Sequence, residues 1–217
     1  MKKSKALLMI VCAALLVAAT VVGTFAYLTS QDSVVNTFTV GNVQIELDET
    51  KVTPDGVPVD NADRVKENNY HLIPGQTYVK DPAVTVKAKS EDSYVRMLLT
   101  LNCADKFDEI YAPDKADLTT IFNGYDAANW VYETVTRDTA KNTITYEFRY
   151  KEIVAKSATD TKLDALFDSI TVPSAFDGKD MESIANLKIT VVGHAMQATG
   201  FNDEDAAWIA FDKQING

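Results

Sequence analysis

The sequence predicts a mainly β chain, an antiparallel β-sandwich with short helical insertions, set behind an N-terminal signal helix. Three observations carry this. Alternation of apolar and polar residues with period two recurs from Val34 to Ala195, and one apolar face per strand is what an antiparallel sandwich shows. Helical spacing of apolar residues appears only in brief runs between those strands. Lys2, Lys3 and Lys5 are followed by a stretch without charge from Ala6 to Gln31.

That first segment has the three parts of a secretory signal peptide: lysines, an apolar core and a small-residue site, Thr24-Phe25-Ala26. Cleavage after Ala26 leaves Tyr27 as the new N-terminus, so residues 1–26 are signal and 27–217 form one β-sandwich domain. The competing reading is a retained anchor, because the run reaches the ~20 residues that span a bilayer. Thr20, Gly23 and Thr24 dilute its last turn, and strand-like sequence follows at once. Cys12 lies within the apolar core, and Met9-Ile10-Val11 before it lacks the small residues that lipidation needs.

The strands follow in order. Val34, Phe38 and Val40 share one face, and Val43, Ile45 and Leu47 share a face of opposite parity. Gly41-Asn42 between them can bulge or turn the strand and reset its phase. Val84, Val86 and Ala88 alternate with Thr85, Lys87 and Lys89. Val95, Met97, Leu99 and Leu101 alternate with Arg96 and Thr100. Ile144, Tyr146, Phe148 and Tyr150 alternate with Thr145, Glu147 and Arg149. Leu187, Ile189, Val191 and Ala195 alternate with Lys188, Thr190 and His194.

The spacing i, i+3, i+4 predicts helical turns at Phe107, Ile110 and Tyr111, at Leu118, Ile121 and Phe122, and at Leu163, Leu166 and Phe167. Near the end, Asn202 or Asp203 is placed to cap a helix carrying Trp208 and Phe211 on one side. Thr50 to Asn69 is polar, turns at Pro54-Asp55-Gly56, and reads as an exposed loop. No internal repeat or low-complexity linker divides the chain.

Charge and cysteine content narrow the function. The whole chain of 217 residues carries a net charge of −10, and removing the three signal lysines takes it to −13. That argues against nucleic-acid binding, which needs a basic surface. It suits a soluble exterior and divalent cations at a cell surface. Only Cys103 remains after cleavage, so no intrachain disulfide forms and the exported domain relies on its core. About 190 residues suffice for one domain burying roughly 70 % of its unfolded surface.

Groups for catalysis are sparse. His71 and His194 are the only histidines, and no H-E-x-x-H pair, glycine-rich phosphate loop or G-x-S-x-G is present. His71, in "NNYHLIPG", reads as a loop residue. His194, in "VVGHAMQ", shares strand parity with Lys188 and Thr190 and reads as a solvent-facing or partly covered imidazole. Cys103 has no histidine nearby and reads as a small buried hydrophobe. The acidic groups Asp55, Asp60, Asp63 and Asp203-Glu204-Asp205 lack the spacing of a calcium loop. For the second group, acids favoured by a helix dipole are a sufficient account. No catalytic, metal or cofactor-binding residue is assigned.

Three stretches together resemble a known family. "GTFAYLTSQDSVVNTFTVGNVQIEL" resembles the N-terminal signature of the TasA and camelysin group of exported proteins of Gram-positive bacteria. A GT(F/W)A-type cleavage region, Gly23 to Ala26, is followed there by a polar stretch and TF-x-x-G, here Thr37-Phe38-Thr39-Val40-Gly41. "LIPGQTYVKDPAVTV", Leu72 to Val86, looks like the P-G-x-x-x-x-K-x-P-x-V segment of that group. "ITVVGHAMQATGFNDEDAAW" is similar to the A-x-Q-A-x-G-F…AW close of related sequences. The stretch Asn102 to Asp180 carries no such match.

The resemblance implies a jelly-roll-like sandwich, processing by a signal peptidase of the SipW type, and secretion to the cell surface or extracellular matrix. It also implies an envelope or biofilm-matrix protein of a group whose TasA-like members assemble into fibres. With no catalytic motif in this sequence, the leading expectation is a non-enzymatic structural protein that assembles with itself into an oligomer or fibre. In such fibres the strand next to the cleavage site completes the sheet of a neighbour, with main-chain hydrogen bonds giving affinity and alternate side chains filling pockets. Here the donor is Tyr27 to about Val40, with Tyr27, Leu28, Val34, Val35, Phe38 and Val40 as pocket fillers. Membrane contact is then through the signal segment alone. Three alternatives stand beside it: Val34 to Leu47 as the first strand of a monomer, a camelysin-like metallopeptidase, and a monomeric surface-binding or adhesion module. The absent zinc motif argues against the second.

Overall fold

Two antiparallel ladders with β4 at their centre build the body of the protein. A computed structural model of the chain describes residues 42–106 and 122–216. The strands are β1 (Ile45–Asp48), β2 (Thr77–Val79), β3 (Ala83–Val86), β4 (Ser93–Asn102), β5 (Phe122–Asn123), β6 (Trp130–Asp138), β7 (Thr143–Tyr150), β8 (Thr161–Lys162), β9 (Ser169–Thr171) and β10 (Ile189–Gln197). Two helices, α1 (Gly178–Ser183) and α2 (Glu204–Asn216), flank β10 in sequence. Among the described residues all strand pairs are antiparallel, and three sheets form, ordered β10-β4-β7-β6, β1-β3-β8 and β2-β9-β5. The chain is mainly β, as the alternation predicts.

The pleat explains the core. Val95, Met97, Leu99 and Leu101 of β4 are fully buried, and Ile144, Tyr146 and Phe148 of β7 lie beside them on the same face. Val84 and Val86 of β3 join them in one apolar cluster with Phe122, Leu166 and Phe167. The sheets approach closely at Gly193 of β10. A Cβ there would sit 3.3 Å from Val84 Cγ2 and 3.4 Å from Ile45 Cδ1, so the missing side chain lets β10 pack against β1 and β3. The β6–β7 hairpin turns at Asn142, whose φ of 51° is one that Asn tolerates.

Several expectations change in the structure. Leu163, Leu166 and Phe167 are not on a helix. They are buried residues of the extended connection between β8 and β9, held by hydrogen bonds from Leu163 N to Val84 O (2.8 Å) and Leu166 N to Pro82 O (3.0 Å). Apolar residues three and four apart face one way on a helix, but an irregular chain pinned at its backbone can aim them at one core as well. Phe122 belongs to strand β5; Phe107, Ile110, Tyr111, Leu118 and Ile121 lie outside the described residues.

Thr50 to Asn69 is also more than an exposed loop. Glu49 pairs with Val65 and Val52 with Pro58 as isolated antiparallel bridges, and Val52 is buried. The Arg64 guanidinium binds the carboxylates of Asp48 and Asp81 and donates to Thr50 Oγ1 (2.9 Å) and Asp81 O (2.8 Å). The turn at Pro54-Asp55-Gly56 is present, closed by Gly56 N to Thr53 O at 2.8 Å. Among the strands, β3 stops at Val86, before Ala88, and Lys89 takes a φ of 67° in the turn that follows. β10 begins at Ile189, two residues after Leu187.

Candidate functional site

The residues of the cleavage site, and those that the family resemblance implies for strand donation, Ala26, Tyr27, Leu28, Val34, Val35, Phe38 and Val40, lie outside the described residues. What the structure does describe is which strands lie at the edges of its sheets. β1, β2, β5 and β8 are edges of two to four residues. The four-stranded sheet has two long ones, β6 and β10, of nine residues each.

These two edges differ in chemistry. β6, "WVYETVTRD", carries Glu133, Arg137 and Asp138 and shifts register between Tyr132 and Thr134. Charges and bulges are the devices by which edges resist pairing with other chains. β10, "ITVVGHAMQ", contains no acidic or basic residue apart from its histidine and no proline. Its ladder to β4 is regular over the whole strand. Hydrogen bonds from Asn102 N to Lys188 O and from Ala198 N to Asp92 O bracket that ladder. In an antiparallel pair the bonded positions alternate, so even-numbered residues of β10 pair with β4. The peptide groups of Ile189, Val191, Gly193, Ala195 and Gln197 therefore aim at the other side. Among the described residues no strand pairs with that side.

The outer face of the same sheet is held by α2. Asp203 caps the helix, its Oδ1 accepting from Ala206 N at 2.8 Å. Trp208 is buried against the sheet and Phe211 packs on the His194 ring at 4.6 Å. Beneath them lies Arg96 of β4, only 2 % exposed. Its guanidinium stacks 4.5 Å from the Trp208 ring centre, binds the Asp212 carboxylate, and approaches Glu147 at 3.7 Å. Arg96 Nε donates to His194 Nδ1 at 3.2 Å. Arg149 of β7 bridges Glu147 (2.9 Å) and Asp205 (2.5 Å). Trp208 Nε1 donates to Glu204 Oε1 at 2.9 Å.

The electrostatics follow from that packing. Burial, then the adjacent Arg96 charge, holds the His194 imidazole below its ordinary value. The Arg96 hydrogen bond holds the Asp212 carboxyl below the usual carboxylate range. Burial pushes the Glu204 acid up, against the pull of Trp208 and Arg149. The Asp203-Glu204-Asp205 run is thus a helix start in which each acid has its own protein partner. His194 is partly covered, as its strand parity suggests, while His71 is 73 % exposed with Asp55 at 3.9 Å. Cys103 is half-buried just beyond β4, and burial raises its thiol. Among the described residues no three His, Cys, Asp or Glu side chains gather where they could hold a metal ion, and no helix is long and apolar enough to cross a membrane.

Sequence reasoning placed Arg96 on the outward row of β4 and gave it no role. The signal that points to it is the pair Trp208 and Phe211, an aromatic helix face that must cover something. No known protein family, curated protein or solved structure matches this chain.

Proposed function

We propose that this chain is a secreted, non-enzymatic envelope or matrix protein with a jelly-roll-like sandwich, which associates with itself by strand donation. The donor is the segment from Tyr27 to about Val40, freed by cleavage after Ala26 by a peptidase of the SipW type. The acceptor is the free edge of β10 in a second copy. One observation carries this reading: a nine-residue edge without acid, lysine, arginine or proline, in a sheet whose opposite edge is charged and bulged. Unpaired, flat and uncharged edges template pairing with extended chain. The donor has the matching character, since Val34, Phe38 and Val40 alternate and no charge lies between Ser33 and Gln44. A strand there would extend a sheet whose outer face α2 already holds in place, so little of the acceptor has to be ordered on binding.

The test uses mature protein beginning at Tyr27. It should form oligomers or fibres visible by light scattering and electron microscopy. Deleting Tyr27 to Val35 should leave a folded monomer that binds an added peptide spanning Tyr27 to Thr39, and Phe38→Lys should weaken assembly. Assembly unchanged by both the deletion and Phe38→Lys would remove strand donation as the mechanism.

A further inference from the structure

Where the chain leaves β1 and β2, a lysine, a carboxylate and a carboxamide meet in a site that the strand-donation reading does not use. Lys80, which follows β2, and Glu49, which follows β1, are 7 % and 6 % exposed. Lys80 Nζ lies 2.6 Å from Glu49 Oε2. The other oxygen, Glu49 Oε1, accepts from Asn68 Nδ2 at 2.9 Å. One carboxylate thus joins an amine and a primary amide on opposite oxygens. Asn68 is fixed on all sides. Its Oδ1 accepts from Val52 N at 3.0 Å, and Nδ2 also donates to Thr50 O at 2.8 Å. Tyr70 closes the site, its ring edge-on to Tyr78 at 5.8 Å and its hydroxyl donating to Val79 O at 3.1 Å.

These are the parts needed for amide exchange. An amine becomes a nucleophile when a neighbouring base takes its proton. A carbonyl accepts attack more readily when a backbone N–H already faces its oxygen. Burial of Lys80 and Glu49 keeps bulk water from the ion pair, and the shared carboxylate tethers amine and amide to one group.

We propose that Lys80 and Asn68 are a self-modifying pair, joined by an amide bond between Lys80 Nζ and Asn68 Cγ with Glu49 as the proton carrier. Glu49 Oε2 takes a proton from the Lys80 ammonium, and the neutral Nζ attacks Asn68 Cγ. The charge that develops on Oδ1 faces the Val52 N–H. The Cγ–Nδ2 bond then breaks, its electron pair leaving on nitrogen. Glu49 Oε1 delivers the proton to that leaving nitrogen, so ammonia departs. The second proton shed by Nζ stays on Glu49, which ends as a neutral acid hydrogen-bonded to the new amide. Ion pair and carboxamide on one side balance neutral acid, amide and ammonia on the other, and no oxidant or cofactor is required. Asn68 is half-buried, which gives ammonia a way out. In an exported chain left with Cys103 alone, the bond would supply the cross-link that a disulfide cannot.

Mass spectrometry of the purified, folded protein tests this. The expected mass is lower than that of the sequence by one ammonia. Trypsin should fail to cut after Lys80, and chymotryptic cleavage between Tyr70 and Tyr78 should leave the two halves of the segment still joined. Lys80→Arg and Asn68→Ala should each restore the full mass. Glu49→Gln should do so while circular dichroism shows the native β spectrum; if Glu49→Gln does not fold, the first two variants and the wild-type digest decide. Wild-type protein of full mass, or an ammonia loss that maps to another asparagine, would overturn the proposal and leave a buried ion pair capped by Asn68.

Discussion

Arg96 and Trp208 stack with the guanidinium carbon 4.5 Å from the ring centre, and this contact fastens the C-terminal helix to the four-stranded sheet. The arginine is buried, so its charge depends on partners that α2 supplies: Asp212 by ion pair, Trp208 and Phe211 by their ring faces. A buried charge left without such partners is costly, which makes helix and sheet mutually dependent.

Trp208→Ala should therefore cost about 3–5 kcal/mol, from lost packing and a cavity over Arg96. Asp212→Asn should cost less, about 1–2 kcal/mol, because Asp212 is 45 % exposed and water and Glu147 partly replace it. Urea unfolding followed by circular dichroism gives both numbers. Equal costs for the two substitutions would mean that charge, not packing, dominates the contact.

Acid should loosen this clamp. The His194 imidazole is held below its ordinary value of 6.5, so above that value folded and unfolded chains are both neutral there. As pH falls through it, the unfolded chain binds a proton that the folded chain resists, and stability drops. Asp212, held below its ordinary 3.8, adds a second loss when pH falls further, since its contribution is present above that value and disappears as the folded carboxyl protonates. Thermal unfolding across this range should show the upper loss reduced in His194→Gln and the lower loss reduced in Asp212→Asn.

Gly56 turns with φ at 78°, and a Cβ there would come within 2.7 Å of the Tyr78 Cα. Both the backbone angle and the clash with main chain oppose any side chain. Gly56→Ala should cost more than about 2 kcal/mol, read as a lowered midpoint in urea. Gly193→Ala meets only side-chain atoms at 3.3 Å and beyond, without a positive φ, and should cost less than Gly56→Ala, about 1 kcal/mol.

Two prolines separate the sides of β10. Ala195→Pro removes an N–H that aims at the free edge, so the ladder to β4 survives and the protein folds. Val192→Pro removes a ladder N–H, leaves its β4 carbonyl partner unpaired, and should lower stability by about 1–3 kcal/mol. If β10 is the acceptor, Ala195→Pro should also slow assembly in light scattering at unchanged thermal stability. Assembly at the parent rate would shift the acceptor to another edge.

The sequence by itself determined β4, β7 and β10 and narrowed the cap of α2 to two residues. It did not show the nine-residue β6, whose register shift between Tyr132 and Thr134 breaks the period. β4, β7 and β10 follow from alternation, because the pleat turns successive side chains to opposite faces and a run of eight to ten residues records that period many times. The place just before the Trp208–Phe211 face pointed to Asn202 or Asp203 as the cap, and the hydrogen bond from Ala206 N selects Asp203. Tertiary structure decided the rest. Strands β2, β5, β8 and β9, of two or three residues, are too short to hold a period, and partners distant in sequence make them strands. Leu163, Leu166 and Phe167 mimic a helix because three residues aimed at one core satisfy the same spacing. Arg96 alternates like an exposed residue, and only α2 folding back over the sheet makes it buried. Glu49, Asn68 and Lys80 lie far apart along the chain and look like three ordinary polar residues until the Glu49–Val65 bridge and β2 bring them onto one carboxylate. Local periodicity is written in neighbouring residues, whereas burial of a charge and the meeting of reactive groups depend on which surfaces pack together.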